Sequence, residues 1–406
     1  MIISVSWRNI WRKKTRSLVV ITAITLGIMA GVFSTAFMKG MMDKRIESAI
    51  HTELSHIQIH DSLYSKTNEL KYYMQGTDAL ARRIDTLPHV TGVTQRIIVQ
   101  SMISSAETGA GVKIMGIRPE DERKVTDIAE HITDGKYFGG IKRYPVVIGE
   151  KLAHKLNVRV RSKVVITLQD LNNNLTAGAF RVAGIYKTSN TVFDESNVFI
   201  RYEDLAQLTG MPPGACHEIA IRVEDNRYTL PVRARINPLL TGRERALTWT
   251  EISPEMSYVT QVMDMYMYIF IIIILLALLF GIINTMLMVI LERHKEIGML
   301  LAIGMSRMRI FFMIIVETVL LSLTGGVTGI VLGTWLSKHF ETHYIDLSMF
   351  GKGLEQLGYS SLVNTSIDPA MVINVTLMVI VTGIIAAIYP AWKAIRYDPA
   401  EALRIE

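Results

Sequence analysis

Residues 266–309 read YMYIFIIIILLALLFGIINTMLMVILERHKEIGMLLAIGMSRMR, and the change of character at Glu292 decides the fold class. The first part, Tyr266–Leu291, has no charged residue. As a helix it is about 39 Å long, more than the ~30 Å hydrocarbon core of a bilayer. The second part, Glu292–Arg309, is short, charged and patterned, and Ile310–Leu336 follows it as another apolar run. Working outward, Leu18–Met38 and Ala370–Ile388 have the same length and composition, which makes four candidate spans. A purely water-soluble enzyme is excluded.

Cationic side chains orient the spans. Arg8, Arg12, Lys13, Lys14 and Arg16 precede the first, Arg293, Lys295, Arg307 and Arg309 lie between the second and third, and Lys393, Arg396 and Arg404 follow the fourth. The loop from Lys338 to Pro369 has only Lys338 and Lys352. The excess of lysine and arginine places both termini and the 292–309 loop in the cytoplasm, and residues 39–265 and 338–369 outside. Ser34-Thr35-Ala36 resembles a signal-peptide cleavage site, but the apolar run before it is longer than such a peptide needs, so it reads as an anchor.

The 406 residues are 50% hydrophobic and carry a formal net charge of +6. Residues 39–265 hold 29 basic and 27 acidic side chains, so the basic balance reflects topology; a nucleic-acid footprint is not expected. Cys216 is the only cysteine, and His51, His56, His60, His89, His131, His154 and His217 have no metal-ligand spacing. No phosphate-binding G-x-x-x-x-G-K-[ST] stretch, H-E-x-x-H, G-x-S-x-G or CxxC occurs. The chain is therefore expected to be no enzyme and to hold no cofactor or metal; ATP and Mg would belong to a partner.

The external segment reads as α+β. Ile57 and Ile59 alternate, Leu80, Ile84 and Leu87 share a helical face, and 92–103 is β-rich. The order recurs with Ile219, Ile221 and Val223, a helix within 228–240, and 246–249 extended. Two such units predict a split βαββαβ sheet, about 50–103 and 215–250, with helices on one face. Between them, about 104–214 reads as an inserted β-rich subdomain.

Several features of the membrane part invite a role. In the 292–309 loop Ile297, Leu300, Leu301 and Ile303 form an apolar helical face, and Gly298 and Gly304 allow close approach or a turn. That face either docks in a groove of a soluble partner or rests on lipid. Gly27 and Gly31, and Gly325, Gly329 and Gly333, are small-xxx-small pairs that serve packing within the chain or a dimer seam. Glu317, roughly 10 Å inside the third span, needs a partner, expected from the cytoplasmic basic rim. Met256, Met263, Met265 and Met267 cluster where the second span meets its external stalk, as gap-filling residues or as a path for lipid tails. Residues 2–16, with Trp7, Ile10 and Trp11 on one face, read as an in-plane elbow helix. The tail from Tyr389 is expected to bend at Pro390.

The chain resembles ABC-transporter permeases of the MacB/FtsX mechanotransmission superfamily. The resemblance rests on Glu292-Arg-His-Lys-Glu-Ile-Gly298, Ala302-Ile-Gly304 and Glu317, and on Pro390-Ala-Trp-Lys-Ala394 and Asp398-Pro-Ala-Glu-Ala-Leu-Arg404. Val146–Ala153, Phe180–Ile185 and Trp249–Pro254 are most similar to the lipoprotein-releasing LolC/LolE branch. The resemblance implies an inner-membrane protein whose 292–309 segment is a coupling helix. Glu292, Arg293, Lys295, Glu296, Ile297, Gly298, Leu301, Gly304 and Arg307 would meet a LolD/MacB-like ATPase, two copies serving two permeases, identical or paralogous. Release of lipoproteins to a periplasmic chaperone is the implied activity. An efflux subunit for drugs, toxins or siderophores and an FtsX-like regulator of cell-wall hydrolases are the rivals.

Overall fold

The computed structural model describes residues 7, 8, 11, 12 and 14–396; the expected elbow helix as a whole, Ile10 within it, and the 398–404 motif lie outside the described residues. The chain divides into two compact units. One is Lys44–Val259 with Leu347–Ser361, and the other is the remainder.

In the membrane unit the apolar runs form α1 (Lys14–Ala49), α2 (Pro254–Glu292), α4 (Arg307–Thr342) and α5 (Pro369–Ala394), and the charged loop forms α3 (His294–Ala302). All four long helices have the length and composition to cross a membrane. One core joins Ile24 and Ile28 of α1, Leu275 and Met286 of α2, Ile314 and Leu321 of α4 and Val379 and Ala386 of α5. Outward-facing Phe280, Val331 and Leu377 stay exposed, as lipid-facing side chains do. α5 runs through Pro390 to Ala394, so the expected bend does not end the helix; proline only removes one N–H bond there.

Small residues set the helix contacts. A Cβ on Gly329 would lie 2.8 Å from the Thr25 carbonyl oxygen and 2.9 Å from Ile28 Cβ. On Gly325 it would meet Ile24 at 2.8 Å, and on Gly333 Val32 at 2.9 Å. The α4 stripe therefore seats on α1 of its own chain, and Gly27 faces Leu278 of α2 (2.9 Å) and Gly31 Ile274 (3.4 Å). Of the two readings left open by the sequence, these glycines serve packing within the chain.

The external unit is built on β1 (Ile57–Asp61), β2 (Val90–Ser104), β3 (Gly109–Ile117), β4 (Ile132–Gly135), β5 (Pro145–Gly149), β6 (Lys163–Gln169), β7 (Leu175–Tyr186), β8 (Asn197–Arg201), β9 (Glu218–Val223) and β10 (Glu244–Thr248). They form one sheet in the order β10-β1-β9-β2-β3-β8-β5-β7-β4, with β6 pairing β2 and β7. β10-β1-β9-β2 is the expected split βαββαβ arrangement: Ile57, Ile59, Ile219 and Ile221 pack beneath helices Thr77–Asp85 and Thr229–Ile236. The opposite face carries Gln58, His60, Arg96 and Glu218, all buried.

The inserted subdomain has its own core around Val112, Val146, Val164, Phe180 and Val198. Its boundary is not at 103/104, however. β2 pairs β9 over Val90–Arg96 and β3 over Ile97–Ser104, so one strand serves both subdomains. After the bulge at Gly92, the run Val93–Ile103 has no glycine, proline, asparagine or aspartate to break it. The loop after α4 is also more than a connection, since Leu347–Ser361, with helix Gly351–Gln356, joins the external unit. Sequence reading passed over helix Pro119–Val125, although Pro119 at its start, acids in its first turn and Arg123-Lys124 in its last suit a helix dipole.

Candidate functional site

α3 is fixed at both ends by backbone chemistry. At its C-terminus Gly304 N–H donates to the Leu301 carbonyl (3.1 Å) and Met305 N–H to the Leu300 carbonyl (3.0 Å), a Schellman stop. That stop needs a left-handed residue, and Gly304 supplies φ +94°. At the N-terminal side Arg293 joins the two helices: its N–H donates back to the carbonyls of Val289 and Ile290 in α2, and its carbonyl accepts from Ile297 N–H of α3 at 2.9 Å.

Charge holds the helix in place. Arg293 Nη1 donates to both carboxylate oxygens of Glu317 at 3.0 Å, and its Nε donates to Glu296 at 3.1 Å. Glu296 also takes Arg12 Nη1 at 2.9 Å. The series Arg12–Glu296–Arg293–Glu317 ties the N-terminal segment, α3 and α4 together. Its inner pair is largely buried, with side chains 16% and 5% exposed. Leaving either member of such a pair alone costs about 3–5 kcal/mol in soluble proteins. The acid in the span thus has its partner in Arg293, at the junction of α2 and α3, as an isolated carboxylate there requires.

This geometry corrects the expected docking face. Ile297 and Gly298 are buried, and Leu300 and Leu301 lean on the bundle core. Ile303 does not join them: the helix stops at Ala302, and Ile303 is 78% exposed. The free face is instead Lys295, Met299, Ala302 and Ile303, at helical spacings of four, seven and eight, continued by Arg307 and Met308. Of the nine residues assigned to coupling, Glu292, Lys295, Gly304 and Arg307 face outward, whereas Arg293, Glu296, Ile297, Gly298 and Leu301 are wholly or partly covered and support the helix. Met299 and Met308 were missed, although Met308 lies between Arg307 and Arg309, and Ile303 was read with the face that the structure covers.

The methionine cluster is divided by helical phase. Met267 is buried, Met256 and Met263 are half-buried and Met265 is exposed. Trp7 and Trp11 meet edge to face at 5.9 Å, and Arg396 stacks over Trp392 at 3.6 Å.

Two family models match the sequence: the MacB-like periplasmic core domain over residues 17–239 and the FtsX-like permease C-terminal over 268–399. Among curated relatives, an uncharacterized ABC transporter permease of Methanocaldococcus jannaschii is 26% identical, with 100% of this chain and 98% of the relative covered. The lipoprotein-releasing system transmembrane protein LolC of Xylella fastidiosa is 24% identical, covering 96% and 91%. The macrolide export ATP-binding/permease protein MacB of Chlorobium luteolum is 26% identical over 99% of this chain but 59% of its own length. The periplasmic region of MacB from Actinobacillus actinomycetemcomitans covers 54% of this chain and 98% of itself, at 12% identity and a TM-score of 0.36.

Proposed function

The chain belongs to the MacB/FtsX superfamily of ABC-transporter permeases, and from that premise we propose that it passes strokes of a cytoplasmic ATPase to its external unit to release lipoproteins from the inner membrane. The ATPase subunits bind ATP and Mg, two copies for two permeases, identical or paralogous. Each grips one α3. Both chain termini and α3 lie in the cytoplasm, and the external unit lies in the periplasm.

The observation that carries this reading is the free face of α3: Lys295, Met299 and Ile303 project from a helix held rigidly by the Arg12–Glu296–Arg293–Glu317 series. An apolar face flanked by a cation suits a groove on a soluble partner, and rigid seating lets a push reach the bundle. Outside the bilayer, each acyl CH₂ taken from lipid costs about 0.8 kcal/mol, so cargo release needs ATP-driven work and an apolar route. The exposed Met265 side of α2 supplies apolar surface for lateral entry beside α1. A soluble periplasmic chaperone then receives the acylated protein. Macrolide-type export is the second reading, supported by the MacB-like core model over residues 17–239.

The double variant Met299→Asp, Ile303→Asp tests the docking. Neither side chain supports the bundle, so the permease should fold yet lose its ATPase when the complex is gently solubilised and weighed by mass spectrometry. Undiminished ATPase association would remove α3 from the interface. In proteoliposomes, ATP-dependent release of an acylated protein separates the first reading from macrolide movement.

A further inference from the structure

On the face of the sheet away from its helices, a cavity of about 360 Å³ opens in the external unit, with Lys113, His60 and Glu218 in its wall and Asn68 and Gln100 toward the mouth. None of this follows from the coupling function. Lys113 stands on β3, half-buried, and among the described residues no carboxylate lies within ion-pairing distance of its ammonium. The nearby acid is already engaged: Glu218 Oε1 accepts from Arg96 at 2.6 Å, and Oε2 lies 3.6 Å from His60 Nε2. Arg96 gives its other donors to Glu122, at 2.6 and 3.0 Å. A half-buried cation is ordinarily paired, and this one is not.

Three other donors of the lining lack protein partners, whereas Ser65, Gln58 and His60 have theirs. The side-chain amides of Asn68 and Gln100 and the Tyr64 hydroxyl make no hydrogen bond among the described residues. His60 presents both ring nitrogens to oxygens, Nδ1 to the His217 carbonyl (2.9 Å) and Nε2 to the Gln58 amide oxygen (2.8 Å), while the Gln58 amide nitrogen is held by the Leu54 carbonyl. Burial pushes the His60 pKa down, while Glu218 and the His217 carbonyl push it back up. Glu218 and Glu53 act on Lys113 only through space: Glu218 is held by Arg96, and Glu53 is paired with Arg45 at 3.5 Å and accepts from the Asn190 side-chain amide at 2.7 Å. Glu251 at the rim is neutralised by Arg233 at 3.0 Å.

We propose that this cavity binds a phosphate ester, with the Lys113 ammonium as its charge partner and Tyr64, Asn68 and Gln100 as single donors around it. A planar carboxylate is best held by an arginine fork, and the buried Arg96 is committed to Glu122 and Glu218; a lysine point charge among scattered donors suits a tetrahedral anion. The volume exceeds that of a bare phosphate and takes a small organic group beside it. The ester comes from a lipid headgroup or from a free molecule.

The test is calorimetric titration of the full chain in nanodiscs. Glycerol 3-phosphate added to phosphatidylcholine discs probes a free ester. Protection of the Lys113 amine from acylation on changing to phosphatidylglycerol discs probes the headgroup. Saturable binding in either arm, weakened at least tenfold by Lys113→Met and kept by Lys113→Arg, is expected. A melting temperature of Lys113→Met equal to wild type shows that the fold is intact. If it falls, Gln100→Ala at the mouth gives the same reading with no core change. No saturation and no protection in either disc, or binding that neither Lys113→Met nor Gln100→Ala weakens, overturns the assignment.

Discussion

His217 shows how much one buried side chain determines. Its Nδ1 accepts from the Ile98 N–H at 3.1 Å, its Nε2 donates to the Leu70 carbonyl at 2.9 Å, and Tyr64 stacks on the ring at 4.7 Å. This fixes a neutral tautomer, and burial lowers the pKa to about 4. His56, accepting from Val223 N–H at 3.3 Å, is likewise lowered by burial to about 4. For both, the unfolded chain binds the proton first, near pH 6.5, so stability is lost as pH falls from about 6.5 toward 4, by up to about 1.4 kcal/mol per unit for each. Asp194 acts in the opposite sense. Burial raises it to about 6, so its contribution is present at low pH and is lost as pH rises through that value. Two histidines outweigh one aspartate, and the external unit should melt at a lower temperature at pH 5 than at pH 7. In His56→Asn, whose amide oxygen can still accept from Val223, the one remaining histidine and Asp194 nearly cancel, and the melting temperature should become almost independent of pH between 5 and 7. Wild-type melting temperatures equal at the two pH values would refute the assignment. The sequence offered seven scattered histidines without ligand spacing; which of them are buried depends on strand pairings distant in the chain. The need of Glu317 for a cation was legible from its place in the span, whereas the choice of Arg293 depended on the turn between α2 and α3.

Among the elements, the α1–α4 contact was half legible. The small-xxx-small spacing marks a close approach, but the spacing is the same whether the partner helix belongs to this chain or to another. The structure makes Gly329 and Gly281 opposites. A Cβ on Gly329 meets the Thr25 backbone oxygen at 2.8 Å, which cannot move aside as a flexible side chain would, whereas one on Gly281 meets nothing within 4 Å. Gly329→Ala should force the helices apart and destabilise the bundle by about 1–3 kcal/mol, the usual cost of overpacking. Gly281→Ala should be neutral or slightly stabilising, since alanine is the better helix former. Thermal melting in one detergent compares them, and equal melting temperatures would contradict the packing described. α3 was misread for a related reason. Both its faces are apolar, Ile297 and Leu301 on one and Met299 and Ile303 on the other, and periodicity alone does not say which is covered. Its Schellman stop at Gly304 ends the helical period before Ile303.

At the scale of the whole molecule, the apolar runs and the recurring βαβ pattern made the division into membrane and external parts legible. The sharing of β2 and the recruitment of Leu347–Ser361 were not, because each joins segments with no common local pattern. Under the proposed function a stroke has two covalent routes outward. Along the first, α1 passes into a π-helical turn, Ile50–Leu54, where His51 meets Asp127 at 3.1 Å and Asp127 meets Arg222 of β9 at 2.6 Å. Along the second, α2 runs unbroken from Pro254 to Glu292. A helix transmits bending or rotation only while its backbone ladder is continuous, and each glycine in a helix interior weakens it by about 1 kcal/mol. Replacing Gln261, Val262 and Met263 by glycine should therefore soften the second route while leaving α3 and its ATPase contacts untouched. ATP hydrolysis by the assembled complex should continue near the wild-type rate, and cargo release in proteoliposomes should fall at least tenfold. Undiminished release would mean that α1 alone carries the motion, and the matching test would then be Asp127→Asn, which weakens the clamp between the π turn and β9.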